Sequence, residues 1–502
     1  MNRSLFLAAA PIPAWRKRLT RSLASAVLAS MAMLATTQVS TALPAPRYAL
    51  FDLGTLGGPQ TYLNLPGFPI TNQGFVLGTS DTTIPDTDYP NFNPFMIGFP
   101  DPYVAQAIEW QNGHLINLGA LPGNNSSAVF QVNSNGVGTG MSETAINDPY
   151  TGWPADHAVI FMNGGVVDLG TLPGGFESQA CCITDRGIVA GFASNGTADP
   201  VSIFGWGTQS RSFIWQNGVM HDIGTLGGPD AVMTTMNSRG QVDGQSYTSA
   251  TPNASTGIPT QDPFLWQSGT MRDLGNFGGT VSFANWLSNA GEVAGQSNLP
   301  GDQSGHPFLW DGRRMVDLGT LGGRNGSANA VNDAGVVVGS ADLPTPHVHY
   351  AFLWKNGSMT DLLPSQGALC SNGNFVNSRA QAVGNSTDCR GNALAAMLWE
   401  NGSAFDLNTL VTPSALHLTS AEYITDRGEI FAEGLLPNGM QRLAVLIPAG
   451  LAASAGLSNV ADSQPGSSAQ SATGVPSRLL DRRDLVGPAQ DRLASAYRVR
   501  FP

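Results

Sequence analysis

Between Asp317 and Thr360 short β-prone runs alternate with turn residues at regular intervals. Ser327-Ala-Asn-Ala-Val-Asn332 leads through Asp333-Ala-Gly335 to Val336-Val-Val-Gly-Ser340. Two short apolar runs joined by residues that tolerate left-handed backbone predict a β-hairpin. Tyr350-Ala-Phe-Leu-Trp354 predicts a third strand, Lys355-Asn-Gly357 a tight turn, and Ser358-Met-Thr-Asp-Leu362 a fourth strand. Four short antiparallel strands in one repeat of about 44 residues make one propeller blade.

The landmarks recur along the chain. Asp52-Leu-Gly-Thr-Leu-Gly-Gly58 has near-copies beginning at Asn117, Asp168, Asp222, Asp273, Asp317, Asp361 and Asp406, a period of roughly 45–50 residues that marks a repeat architecture. Third strands end at Trp110, Phe161, Trp215, Trp266, Trp310, Trp354 and Trp399, and a ring recurring at one position reads as a packing wedge between blades. The Gly-Thr-Leu-Gly-Gly segments lack the Lys and following helix of a phosphate loop, so they read as tight crossings from one blade to the next.

The last repeat has a hairpin (Leu418–Gly434) and a third strand (Arg442–Ile447) but no fourth, whereas Tyr48-Ala-Leu-Phe-Asp52 is a strand without a blade. Pairing them removes two exposed edges. The expected fold is therefore all-β, a closed propeller of eight four-stranded antiparallel blades over residues 44–448, with seven blades or an open β-solenoid as alternatives.

Four loops between second and third strands are expanded: Asp81–Tyr103, Glu143–Asp156, Asn195–Ser210 and Tyr247–Gln261. Loops on a rigid scaffold are where binding residues concentrate. They carry many aromatics, of which Tyr89, Phe92, Tyr103, Trp153, Trp206 and Tyr247 are the candidate ligand-binding residues, alongside Phe95, Phe99, Tyr150 and Phe204. Such rings either stack on sugars or anchor a protein partner, or they form a satellite core that pins the loops down. Asp81, Asp86 and Asp88 could hold a hard cation through oxygen ligands, but their spacing matches no EF-hand loop and no metal is expected.

Composition and the chain ends narrow the function classes. Arg16, Lys17, Arg18 and Arg21 precede an apolar run from Leu23 to Ala35 and small residues at Ser40–Ala42. That pattern predicts a signal peptide over residues 1–43, a secreted or periplasmic location, and no membrane span once it is removed. Residues 449–502 are rich in Ala, Ser, Gly and Gln and are expected to be a disordered tail. The chain has a net charge of −12, and its leader contains only bases, so the repeat body is more acidic still. Nucleic acid is excluded as a partner, because it requires clustered positive charge.

Cys370 and Cys389 lie almost equally far from the midpoint of the Asn374–Ser386 hairpin, which predicts a disulfide. Cys181 and Cys182 are neighbours on one predicted strand, where alternate side chains point to opposite faces; packed thiols or a strained vicinal bridge are both open. His157 and His306 recur at the start of third strands, which points to a structural hydrogen bond, and His347 with His349 lacks the further ligands of a metal site. No nucleophile elbow, zinc-protease helix or Walker loop is present, so no catalytic residue and no cofactor is expected.

The pattern Asp-Leu-Gly-Thr-Leu-Gly-Gly, then Ala-x-x-Val-Asn-x-x-Gly-x-Val-Val-Gly, then Ala-Phe-Leu-Trp-x-x-Gly-x-Met resembles the HAF family of bacterial extracellular repeats over Tyr48 to Ile447. The family's His-Ala-Phe survives loosely as His157-Ala158-Val159, His306-Pro307-Phe308 and Tyr350-Ala351-Phe352. The resemblance implies a secreted or surface protein and supplies no catalytic residues. The leading expectation is a monomeric scaffold that binds a glycan or extracellular protein through the expanded loops. A polysaccharide hydrolase or lyase with a site at the propeller channel, and a purely structural surface protein, are the alternatives.

Overall fold

The computed structural model describes residues 48–457 apart from 64–67, 97, 112 and 124, all within the unit that begins at Pro46. The expected signal segment and the tail beyond residue 457 lie outside the described residues.

The chain folds into antiparallel sheets of four strands, the architecture of propeller blades. Six sheets have four strands and one has eight; the eight-stranded sheet is two consecutive repeats joined where Arg211 pairs in parallel with Ala231. In the repeat read above, the strands are Gly326–Val331, Val337–Asp342, His349–Lys355 and Ser358–Leu362. The first strands of the third and fourth repeats, Ser178–Ile183 and Ala231–Met236, are buried along their whole length, while fourth strands such as Gly165–Asp168 are largely exposed. A strand covered on both faces needs no polar alternation. That is why the first strands read as runs of small apolar residues and the fourth strands as polar ones.

In the third to sixth repeats the buried centre of the sheet is a glycine opposite a phenylalanine. Gly191 pairs with Phe213, Gly244 with Phe264, Gly295 with Phe308 and Gly339 with Phe352, and all four rings are 0% exposed. A Cβ on Gly295 would come within 2.7 Å of the Phe308 ring, so the recurring Val-x-Gly clears space for the facing Phe. Of the seven wedge residues Trp110, Phe161, Trp310 and Trp399 are buried and Trp215, Trp266 and Trp354 half-buried; Arg272 lies over the Trp310 ring at 4.6 Å, and Trp399 Nε1 donates to Leu363 O in the preceding repeat.

The N-terminal strand completes the last sheet. Tyr48–Asp52 pairs antiparallel with Gln441–Pro448, Tyr48 opposite Pro448 and Asp52 opposite Ala444. The last sheet also touches the first repeat, where Leu443 N donates to Thr61 Oγ1 at 2.9 Å and the Arg442 guanidinium donates to Pro59 O.

The crossings are docked rather than free. Asp168 Oδ1 accepts from Gly170 N, and the same Asx turn recurs at Asp52, Asp222, Asp273 and Asp317. The Leu of the crossing then donates its N–H to a serine on the second strand, Leu56 to Ser80 and Leu226 to Ser246. The second glycine sits where a Cβ on Gly228 would lie 2.5 Å from Tyr247 Cβ.

One expectation changes and one open alternative is decided. Residues 449–457 are not disordered: the helix Ala449–Ser454 packs Ala452 and Leu451, with Leu457, onto the cluster formed by Ala49, Phe51, Val445 and Ile447. Cys181 and Cys182 are disulfide-bonded to each other. A β-bulge between Ala180 and Cys182 makes Cys181 the extra residue, so the strict alternation assumed for that strand does not hold. The Cys370–Cys389 disulfide forms, with Cα atoms 5.2 Å apart, although Cys370 pairs with Thr387. Cys389 reaches it from the turn just beyond the strand.

Candidate functional site

Bulges recur in the first strands of repeats two to eight, and they place one residue type per strand in a common position. These residues are Phe130, Cys181, Thr234, Asn285, Asn329, Asn374 and Glu422. Each of several reaches the next repeat: Thr234 Oγ1 donates to Ala284 O, Asn285 Nδ2 to Ala328 O, Asn329 Nδ2 to Gly373 O and Asn374 Nδ2 to Ala421 O. Beside this belt Phe68 meets Trp286 at 4.9 Å, and Trp286 meets Phe375 at 4.8 Å, which stacks on Tyr423 at 3.9 Å. Phe68 N also donates to Phe130 O. Rings from distant repeats thus converge on Phe68. Among the seven bulge residues Glu422 is the one carboxylate, and burial pushes it above the usual carboxylate range.

The expanded loops are longer hairpins than the sequence suggested. Each second strand shifts register and then pairs once more, Pro85 with Tyr103, Asn147 with Pro154, Ala198 with Thr208 and Pro252 with Pro259. Three of them interlock through aromatic rings. Phe95 of the first loop lies 6.2 Å from Trp153 of the second and 5.0 Å from Phe204 of the third. Phe204 stacks between Phe192 at 4.4 Å and Trp206 at 5.2 Å.

That cluster corrects part of the candidate list. Trp206 is 0% exposed, and Tyr247 is 2% exposed with its hydroxyl donated to Val201 O. Neither ring can face a ligand; both are core beneath the loops. Trp153 is half-buried in the same cluster, and Phe92 is half-buried. Tyr89 and Tyr150, by contrast, are 51% and 49% exposed. Asn91 Nδ2 donates to Gly152 O at 3.1 Å, tying the loop of Tyr89 to the loop of Tyr150 two residues from each ring. Tyr150 is oriented by its hydroxyl on Gly196 O at 3.2 Å and by Phe176 at its edge. Tyr150 was visible in the sequence as one loop aromatic among ten; nothing in its neighbours marked it as the exposed one.

Tyr103 lines a depression of about 330 Å³ together with Gly57, Gly58, Pro59 and Thr83. Against its wall, Tyr62 Oη donates to Asp81 Oδ1 at 2.8 Å and approaches Asp101 Oδ2 at 3.4 Å. Burial, then the Asp101 charge, push the Asp81 carboxyl up to about 7. Asp81 therefore partners Tyr62 and Asp101 rather than Asp86 and Asp88; Asp86 Oδ1 instead accepts from Asp88 N as a local turn. Among the described residues no three His, Cys, Asp or Glu side chains are grouped to hold a metal ion. His157 and His306 pair with Asp168 and Asp317 at 2.9 and 3.0 Å, and Arg211 takes the same place opposite Asp222.

No protein-family model matches the chain, and no curated protein does. Solved structures share its architecture at low identity. The β-propeller domain of the Trilobed protease from Pyrococcus furiosus, of open velcro topology, is 10% identical with a TM-score of 0.39, covering 69% of this chain and 95% of that one. Porphyromonas gingivalis dipeptidyl peptidase 4 is 10% identical with a TM-score of 0.42, covering 73% and 56%. A polysaccharide lyase, a PL25 ulvan lyase, is 10% identical with a TM-score of 0.36, covering 79% and 95%. Among the described residues no helix is long and apolar enough to cross a membrane.

Proposed function

We propose that this protein is a secreted scaffold of the HAF repeat type, an eight-bladed ring closed by its N-terminal strand, that binds a glycan on the loops of its first two repeats. The observation that carries the reading is the pair Tyr89 and Tyr150. Both rings are exposed, whereas Trp206 and Tyr247 are buried and the other loop aromatics half-buried, and the Asn91–Gly152 hydrogen bond ties their two loops together two residues from each ring. A tyrosine presents a flat amphipathic face and has few rotatable bonds to freeze on binding, which suits stacking on sugar rings. Closure is supported by the pairing of Tyr48–Asp52 with the last sheet and by the contacts of Arg442 and Leu443 with the first repeat.

Polysaccharide cleavage is the weaker reading. The coupled acids that could serve it, Asp81 and Asp101, are 0% and 3% exposed, so a substrate in the adjoining depression would not touch them. A glycan array probed with the secreted chain tests the proposal. Binding should be lost when Gly-Ser linkers replace residues 86–102 and 148–153 with the strand content unchanged, and binding that survives this replacement would sink it.

A further inference from the structure

At the start of several first strands, one side chain caps the third strand of the preceding repeat. In the second repeat a hydroxyl does this, Ser126 Oγ accepting from Ala105 N at 3.2 Å. In the next two repeats an acid replaces it. Glu177 Oε2 accepts from Asp156 N at 3.0 Å, and Asp230 Oδ1 accepts from Ser210 N at 3.0 Å. The acids reach further than the serine does. Glu177 Oε2 also accepts from Asn93 Nδ2 of the first loop at 3.2 Å, and the Asp148 charge of the second loop faces its carboxyl. Asp230 Oδ2 accepts from Ile203 N of the third loop at 2.5 Å. Two acids thus hold all three interlocked loops.

Their surroundings contain almost no positive charge. The groups facing Glu177 are Asp148 and Asp156, and Asp156 in turn faces Glu143, which faces Asp86 and Asp88. Asp230 faces Asp199, with Arg211 as its one cation and Tyr247 alongside. No Lys or Arg occurs between Arg47 and Arg186. Both oxygens of Asp156, Oε1 of Glu177 and Oδ2 of Asp199 are buried with no hydrogen-bond partner. An unpaired carboxylate in such a place is costly, whereas the neutral acid keeps the same accepting oxygen for the loop N–H groups at far lower cost.

We propose that Glu177, with Asp156 beside it, and Asp230 form a proton-operated latch that keeps the three loops docked while protonated and releases them on ionisation. The titration agrees with the geometry. Burial, with the neighbouring acids, pushes Glu177 and Asp156 well above the usual carboxylate range, and burial pushes Asp230 up to about 8. A folded value raised above the unfolded one gives a contribution that is whole below about 4 and is lost as pH rises through the folded value. Docking is therefore complete in acid and fails on the alkaline side of neutrality.

The test is limited proteolysis of the full chain with a broad-specificity protease between pH 5 and pH 9, normalised to an unfolded reference peptide, with tryptophan fluorescence as a second readout for Trp153 and Trp206. The loops should be cut at least ten-fold faster at pH 9 than at pH 5. Glu177→Gln and Asp230→Asn keep the accepting oxygen but cannot ionise, and each should flatten that rise; Asp156→Asn stands in if Gln at 177 unfolds the chain. Equal cutting at both pH values, or an undiminished rise in the variants, overturns the latch. Protection restored at pH 9 by CaCl₂ also overturns it, because a cation would then occupy the place assigned to protons. None of these readouts requires a glycan, so the latch and the proposed function can fail separately.

Discussion

The backbone N–H of Leu443 donates to Thr61 Oγ1 at 2.9 Å across 382 residues of chain. One strand over, Phe51 pairs with Val445, and Tyr48, Ala49 and Phe51 are buried in the last sheet's core. Deleting residues 46–52 should therefore lower stability by at least about 4 kcal/mol, from the burial of two aromatic rings alone. Deleting residues 458–502 should change it little. Equal thermal midpoints for the two truncations would contradict closure by the N-terminal strand.

The hairpin asparagines bind across repeats as well as within their own turns. Asn237 Oδ1 accepts from Arg239 N and Gln241 N, while its Nδ2 donates to Ser288 O of the next repeat; Asn377 does the same towards Thr425 O. Asn377→Ala should cost about 2–3 kcal/mol in chemical denaturation, because it leaves buried backbone groups unpaired. Ser378→Ala, which alters an exposed position of the same turn, should be near neutral. Similar losses for both would reduce Asn377 to an ordinary turn residue.

Most of the repeat was legible because its strands, turns and crossings each carry a local signature. The Asn of Asn332-Asp-Ala-Gly is recognisable as a turn residue from its own neighbours, but its bond to Asn377 O depends on how repeats stack, which no local pattern encodes. The vicinal disulfide was obscured for a related reason, since the bulge at Cys181 breaks the alternation on which the reading relied. In the loops, composition alone could not separate Trp206, 0% exposed, from Tyr150, 49% exposed. Both are aromatic residues set among turn formers, Trp206 between Gly205 and Gly207 and Tyr150 between Pro149 and Thr151. Only the interlocking of three loops decides which ring turns inward.

Close approach at the crossings predicts a sharp contrast between glycines. A methyl at Gly228 would lie 2.5 Å from Tyr247 Cβ and 2.6 Å from Ser249 O, whereas one at Gly450 meets nothing within 4 Å. Gly228→Ala should destabilise by about 3 kcal/mol and Gly450→Ala by almost nothing, read as shifts in urea midpoint. A tolerant Gly228→Ala would show that the crossing is not held against the second strand.

Asp243 gives a pH signature away from the loops. It is 0% exposed, accepts from Thr235 N and Oγ1 at 2.8 Å, and burial pushes its carboxyl up to about 7 against those bonds. Its contribution is whole below about 4 and fades as pH rises through the folded value. Asp243→Asn should therefore gain on the unsubstituted protein by more than about 1 kcal/mol between pH 4 and pH 8. Parallel stability curves over that range would contradict the assignment.

The proposed function requires Tyr89 and Tyr150 to form one binding surface. Its most direct test is titration of the best oligosaccharide from an array against Tyr89→Ala, Tyr150→Ala and the double variant, with melting curves recorded on the same samples. Each single change should weaken binding at least ten-fold, about 1.4 kcal/mol, and the double change should abolish it while the melting temperature stays the same. Unaltered affinity in the double variant would contradict the central claim.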